Sequence, residues 1–125
     1  MIWATLGALL MALAVALGAF GAHGLRDRLD PVALGWWHTA AQYHVYHALG
    51  LFAVAWAGRV GARPRPLLVA GVALIVGVVL FSGSLYVMAL TGKRWLGAIT
   101  PLGGTAWIAA WIALAVATWP KTGAS

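Results

Sequence analysis

The segment PLLVAGVALIVGVVLFSGSLYVMALTG, residues 66–92, runs for 27 residues without a charged side chain. An α-helix of about 20 apolar residues crosses the roughly 30 Å hydrocarbon core of a bilayer, so this segment is long enough to span one. Three further uncharged blocks, of 22, 23 and 26 residues, occupy positions 1–22, 36–58 and 95–120. The pattern predicts an all-α membrane protein built as an antiparallel bundle of four transmembrane helices.

The composition agrees with this fold class. Of the 125 residues, 63% are hydrophobic and only 8% are charged, whereas a soluble domain has about 25% charged residues. Cysteine is absent, which excludes a disulfide-stabilised scaffold, and the high hydrophobic content excludes a disordered chain. We expect a single domain over residues 1–125, with spans at about 1–22, 37–57, 67–90 and 101–119.

The basic residues give a net charge of +6, from eight Lys and Arg against two acids. They are spread over the predicted loops and collect on no single face, so we interpret them as anchors beside membrane lipid and expect no nucleic-acid partner. With four spans, the two sides of the membrane carry equal numbers of basic residues, which leaves the positive-inside rule undecided. The dense basic cluster at 59–66 favours cytoplasmic termini.

Local signals mark helix ends and membrane depth. Asp30 and Pro31 predict the start of the second helix, because Asp is a favoured N-cap and Pro is tolerated at the first helical position. Trp107 and Trp111 lie one turn apart within the fourth helix, where packing and lipid contact are both open interpretations. Six other tryptophans fall near predicted span ends, where an indole prefers the membrane interface: Trp3, Trp36, Trp37, Trp56, Trp95 and Trp119.

Polar side chains inside the predicted spans are costly in lipid and should face the interior of the bundle. If the second helix enters the hydrocarbon near Trp37, His44 and His47 lie about 10 and 15 Å deep. Ser82 and Ser84 of the third helix then lie about 12 and 9 Å from the same surface. A second stripe on helix two, which contains His38, Gln42 and Tyr46, must meet headgroups, water or another chain. We predict one polar intramembrane cluster, formed by His23, Tyr43, His44, His47, Ser82, Ser84, Tyr86 and Thr100.

Three interpretations of this cluster are open. The first is interhelical hydrogen bonding that fixes helix register, at about 0.6 kcal/mol per contact. The second is a His-centred site for a proton, a metal or a small polar ligand, because imidazole titrates near neutral pH and ligates metals. His44 and His47 alone support a metal site only weakly, because no carboxylate or Cys stands beside them. The third is catalysis, but both acids, Asp27 and Asp30, lie in a loop, so we expect no catalytic residue, no metal site and no cofactor.

Four motifs resemble those of a known family. They are LGAFGAHGL (17–25), YHVYHAL (43–49), LFSGSLY (80–86) with LTG (90–92), and ITPLGG (99–104). In this order they resemble the bacterial YgdD/YwdK-like membrane proteins, known as domain of unknown function 423, over nearly the whole chain. The resemblance implies a small four-span protein of the cell inner membrane whose biochemical activity is unassigned.

The resemblance also extends to individual positions. Relatives often have an acidic and a basic residue one turn apart near the start of the second helix, and this chain departs from them with His38 and Gln42. The family's recurring residues include most of the predicted polar cluster. They add glycines that we assign to helix packing: Gly18, Gly21, Gly83, Gly103 and Gly104.

The leading hypothesis is a non-enzymatic integral membrane protein that acts as an accessory or membrane-stabilising component. It would pack with itself, with lipid or with a membrane-protein partner, because small residues suited to close helix packing are abundant and catalytic groups are lacking. The alternative is a His-centred carrier or binding site for a proton, a metal or a small solute in one half of the bundle.

Overall fold

The structure is a computed structural model that describes residues 1–123. Residues Pro64–Thr91 form one continuous helix that contains a π-helical segment. The predicted domain, 1–125, has its last two residues outside the described ones. The helices follow in the order α1 (Ile2–His23), α2 (Pro31–Arg59), α3 (Pro64–Gly77), the π-helical segment (Val78–Ser82), α4 (Gly83–Thr91), a 3-10 helix (Arg94–Ala98) and α5 (Thr100–Thr118).

Three helical stretches among the described residues are long and apolar enough to cross a membrane: Ile2–His23, Pro64–Thr91 and Arg94–Thr118. The coarse prediction, an all-α protein with several membrane-spanning helices, is therefore confirmed. α2 is 29 residues long but is not among the three, because the polar side chains in its first half lower its hydropathy.

α2 begins where the sequence predicts a helix start. Asp30 Oδ1 accepts a hydrogen bond from the Ala33 N–H at 2.8 Å, and Pro31 occupies the first turn. The helix therefore starts before the predicted span and continues to Arg59, so it is longer than a hydrocarbon crossing of about 20 residues requires. At the end of α4, Gly92 has a φ of +71°, a left-handed conformation that ends helices and that glycine adopts without strain.

α2 lies at the centre of the bundle. α1 packs mainly against α2, α3 packs mainly against α5, and α2 also contacts α3, α4 and the π-helical segment. The largest buried core cluster draws its residues from α2, α3, the π-helical segment and α5. α1 buries only Gly7, Ala14 and Gly21. α2 is therefore the element that positions the interior side chains, with α1 along one side of it.

Tryptophans pack inside the bundle against glycine backbone. Trp37 is only 2% exposed, its indole lies on Gly21 of α1, and its Nε1 donates to the Leu17 carbonyl at 2.8 Å. The interfacial depth of Trp37 stays a prediction, and the structure adds how the ring packs: a glycine on the facing helix leaves space for it and a carbonyl accepts its only polar hydrogen. Trp107 packs on Gly77 in the same way, so its role is packing and not lipid contact.

The turn between α2 and α3 holds the end of α5. The Arg63 N–H donates to the Ala117 carbonyl at 2.9 Å, and its guanidinium Nη1 donates to the carbonyls of Val116 and Trp119 at 2.8 and 3.1 Å. α5 ends there, so these carbonyls lie where the regular backbone bonding of the helix stops; among the described residues, only the Val116 carbonyl also accepts a backbone bond, from the Trp119 N–H at 3.3 Å. Arg59 also lies next to the Met1 sulfur, at 3.7 Å. Met1 and Trp119 are therefore at the same end of the bundle as this turn.

Candidate functional site

The π-helical segment determines the directions in which the two serines of the helix Pro64–Thr91 point. The Gly83 N–H bonds to the Val78 carbonyl, five residues back, so this backbone bond encloses one residue more than the bond of an α-helix, which reaches four residues back. Ser82 is completely buried, and its Oγ donates to the Ala40 carbonyl of α2 at 2.8 Å. Such bulges concentrate at functional sites, and no hydropathy signal in the sequence indicates this one.

Ser84 connects the helix Pro64–Thr91 to α5. Its Oγ donates to the Phe81 carbonyl at 3.0 Å and lies 2.6 Å from Thr100 Oγ1. A serine hydroxyl has a single hydrogen, so when it donates to the Phe81 carbonyl, Thr100 is the donor between the two hydroxyls. Ser84 is 6% exposed, and the pair forms a short interhelical hydrogen bond at the start of α5.

His44 and Tyr86 form another interhelical contact within the predicted cluster. His44 is 1% exposed, and its Nδ1 lies 3.0 Å from Tyr86 Oη. The other ring nitrogen, Nε2, is buried without a hydrogen-bond partner among the described residues. The tautomer of the ring depends on which of the two side chains donates. The contact ties α2 to α4 and leaves one buried polar atom unpaired.

His47 packs in a different direction, against α5. Its Nδ1 lies 2.7 Å from the Tyr43 carbonyl, and because a carbonyl can only accept, Nδ1 carries the hydrogen. The imidazole stacks on the Trp107 indole, with 3.6 Å between ring centroids and 3° between ring planes. Trp107 Nε1 in turn donates to the Leu74 carbonyl at 3.1 Å. His47 is thus held by an aromatic stack and a backbone bond.

Of the two remaining predicted members, His23 lies apart from these contacts and Tyr43 lies beside His47 and Trp107. His23 is exposed at the end of α1. The side chain of Tyr43 is 40% exposed, and its ring packs at 5.1 Å from the Phe81 ring while its carbonyl serves His47. The structure therefore brings the predicted residues together as separate pairs between helices, Ser82 with the α2 backbone, Ser84 with Thr100 and His44 with Tyr86, and not around one common space.

The glycines assigned to packing fall into two groups. A side chain at Gly21 would collide with the Trp37 indole, and one at Gly103 would collide with the Phe81 backbone. Gly18 has open space around it, and a Cβ at Gly83 or Gly104 would meet only ordinary van der Waals contacts. The contacts therefore support close helix approach at the first two positions. Gly77, under Trp107, is a close contact that the motifs do not indicate.

α2 also carries polar side chains on the side that faces away from the bundle. We call its exposed residues from His38 to Trp56 the α2 outer face. Gln42 and Tyr46 bond to each other there, with 2.6 Å between Gln42 Nε2 and Tyr46 Oη. The α2 outer face consists of His38, Thr39, Gln42, Tyr43, Tyr46, Leu49, Phe52 and Trp56.

The chemistry available inside the bundle is hydrogen bonding by hydroxyl and imidazole groups. Asp30 is committed to capping α2. Within residues 1–123, no three His, Asp or Glu side chains come close enough together to hold a metal ion. The interior therefore offers neutral donors and acceptors between helices.

The comparisons with known proteins concern nearly the whole chain. Residues 17–104 match the family model described as "Protein of unknown function (DUF423)". The chain is 52% identical over 112 residues to the UPF0382 membrane protein YwdK of Bacillus subtilis, covering 90% of this chain and 91% of the relative. It is 39% identical over 106 residues to the UPF0382 inner membrane protein YgdD of Escherichia coli, covering 82% and 77% of the two chains. No solved structure matches.

Proposed function

The chain belongs to the DUF423 family, which confirms the resemblance in its motifs, and from this membership and the geometry above we propose that it is a four-span, non-enzymatic accessory or membrane-stabilising protein. In this proposal the protein lies in the cell inner membrane, as the printed name of the E. coli relative says of that protein. It acts by packing with itself, with lipid or with a membrane-protein partner.

The arrangement of α2 supports four spans. At 1.5 Å per residue its 29 residues extend about 43 Å, enough to cross the membrane. Its Trp37 bonds to α1 in one half of the bundle and its Arg59 lies beside Met1 at the other end. α2 therefore lies alongside α1 for most of its length. The basic residues at 59, 63 and 65 favour the cytoplasm for that end of the bundle and hence for both termini.

The observation that carries the proposed role is the direct pairing of buried polar groups. Ser82 bonds to the α2 backbone, Ser84 to Thr100, and His44 to Tyr86, each across a helix interface. Interhelical hydrogen bonds of this kind contribute about 0.6 kcal/mol each and fix helix register. Hydroxyl and imidazole groups that are hydrogen-bonded to one another are poorly placed to bind a substrate. This supports a structural and associative role over an enzymatic one.

Association can be tested with the full chain in lipid nanodiscs extracted directly from membranes. Two differently tagged copies are expressed together, one is purified, and the copurified proteins and lipids are quantified against a four-helix membrane protein of similar size and unrelated sequence. We expect enrichment of the second copy, of one defined protein or of one lipid class. The proposed role would be contradicted by a preparation that enriches none of them.

A second candidate function is a His-centred site, and the buried Nε2 of His44, which makes no hydrogen bond of standard geometry within residues 1–123, favours it. A polar atom in such a position is costly unless something binds it part of the time. Reconstituted into liposomes loaded with a pH-sensitive dye, a carrier would raise proton flux, with a change between about pH 5 and 8, where imidazole titrates. Flux that is the same for the wild type, for His44→Phe and for empty liposomes would contradict this candidate.

A further inference from the structure

The α2 outer face differs from the exposed face of α3. On α3 the exposed side chains are aliphatic, Leu68, Val69, Val72 and Val76; we call them the α3 outer face. On α2, Tyr43 and Tyr46 are 40% and 48% exposed, and His38, Thr39 and Gln42 are exposed beside them. Hydrogen-bonding side chains thus occupy the first half of a face whose counterpart on α3 is apolar.

The depth of these side chains decides what can meet them. Arg59 at the end of α2 marks one boundary of the hydrocarbon. Counted from it, Tyr46 lies about 20 Å and Gln42 about 25 Å along the helix, both within a core of about 30 Å. His38, at about 31 Å, reaches the opposite boundary and can meet headgroups. Gln42 and Tyr46 therefore need partners that hydrocarbon cannot supply.

Gln42 and Tyr46 satisfy each other only in part. A carboxamide has two N–H donors and an acceptor oxygen, and a phenol has one donor and one acceptor. After the bond between Gln42 Nε2 and Tyr46 Oη, one amide N–H, the amide oxygen and the phenol hydrogen are left over. The pair thus presents donors and an acceptor together, and such a surface can bond to a copy of itself.

The exposed residues of α2 also follow a coiled-coil pattern. Gly35, Gln42, Leu49 and Trp56 are exposed at a spacing of seven residues, and intervening positions at heptad spacing complete a seam of the kind along which two helices pack. In coiled coils a polar Asn or Lys at one core position specifies register and oligomer state, and Gln42, which carries an amide as Asn does, occupies a seam position one turn after His38. The α2 seam consists of Gly35, His38, Gln42, Val45, Leu49, Phe52 and Trp56.

We propose that the α2 seam binds a second copy of this chain, with the two α2 helices parallel and Gln42 opposite Gln42 of the other copy. Two copies with the same orientation in one membrane are related by a two-fold axis along the membrane normal, so each residue meets its own counterpart at equal depth. A seam without charged side chains between His38 and Trp56 meets itself without repulsion. This proposal rests on the association proposed above and names its partner and surface.

Cysteine scanning tests the contact in native membranes, because the chain contains no Cys. Leu49→Cys places a thiol on the α2 seam, and Val72→Cys is the matched control on the α3 outer face, with wild-type exposures of 53% and 47%. Under a mild oxidant, Leu49→Cys should form a disulfide-linked dimer and Val72→Cys should not. Equal yields at the two positions, or no dimer at either, would overturn the proposal.

The role of Gln42 is tested by adding Gln42→Leu to the Leu49→Cys variant. Loss of interhelical hydrogen bonds should lower the dimer yield about three- to tenfold, whereas Gln42→Asn, which keeps the amide, should retain part of it. An unchanged yield with Gln42→Leu would show that the amide does not hold the contact. Crosslinking of position 49 to a different protein would overturn the second copy as partner while the proposed accessory role stands, and no association by any method would remove both.

Discussion

The inner and outer faces of α2 both carry polar groups, but these groups find their partners in different places. On the inner face, the Ala40 carbonyl accepts from Ser82, His44 bonds to Tyr86 and His47 stacks on Trp107. On the outer face, Tyr46, a neighbour on the same helix, is the hydrogen-bond partner of Gln42 within residues 1–123. A polar group in apolar surroundings is costly unless it is hydrogen-bonded, so the inner face contributes to holding the fold, and the incompletely bonded outer face is where we propose that a second copy binds.

The difference predicts that substitutions on the two faces have separable effects. Changes on the inner face should lower the free energy of unfolding, because they remove contacts within one chain. Changes on the outer face should alter association and leave the unfolding free energy of the single chain nearly constant. Four substitutions test this separation, in order of decreasing effect on stability.

Trp107→Ala should have the largest effect. The indole is 4% exposed, stacks on His47 and bonds to the Leu74 carbonyl, and truncation of a buried aromatic costs about 3–5 kcal/mol. Steric trapping in bicelles measures the unfolding free energy directly. Trp95→Ala is the control, because Trp95 is 65% exposed and its loss should cost much less. Equal losses for the two would mean that the aromatic stack on the inner face contributes nothing specific.

Gly21→Ala should be next, at about 1–3 kcal/mol, the usual range for overpacking. A Cβ at this position collides with the Trp37 indole, so α1 and α2 would have to separate. Gly18→Ala is one turn away in the same helix and meets open space, so it should be neutral or slightly stabilising because alanine favours helix. Steric trapping measures the unfolding free energy of both variants. A Gly21→Ala variant as stable as the wild type would contradict close packing at this contact.

Ser82→Ala should cost less, about 0.6–1.7 kcal/mol, the range for an interhelical hydrogen bond in a membrane. The substitution removes the donor to the Ala40 carbonyl and changes little volume. Thr105→Ala is suitable as a control, because Thr105 is exposed and bonds only to the Pro101 carbonyl of its own helix. A loss at position 82 no greater than at position 105 would show that the hydrogen bond from Ser82 to α2 does not stabilise the packing of these two helices.

How far the sequence predicts this architecture depends on the residue. Asp30 and Pro31 identify the start of α2, because capping is encoded locally, and the helical spacing of His44 and Gln42 predicts two polar stripes on α2. The π-helical segment is not predictable, because a shift of one residue in the backbone bonding pattern changes neither composition nor periodicity. The packing of Trp37 is not predictable either, because the sequence does not show that a glycine of another helix lies against its indole.

Gln42→Leu should have the smallest effect on the stability of the single chain and the clearest effect on its assembly. Because Gln42 is exposed and, within residues 1–123, its side chain hydrogen-bonds only to Tyr46 of the same helix, its removal should change the unfolding free energy by less than about 0.5 kcal/mol, as for other surface substitutions. Measured at protein-to-lipid ratios low enough to keep the chains apart, this value separates the two faces. A loss comparable to that of Ser82→Ala would place Gln42 among the groups that hold the fold. A constant unfolding free energy with a lower dimer yield would assign the inner face of α2 to folding and its outer face to association.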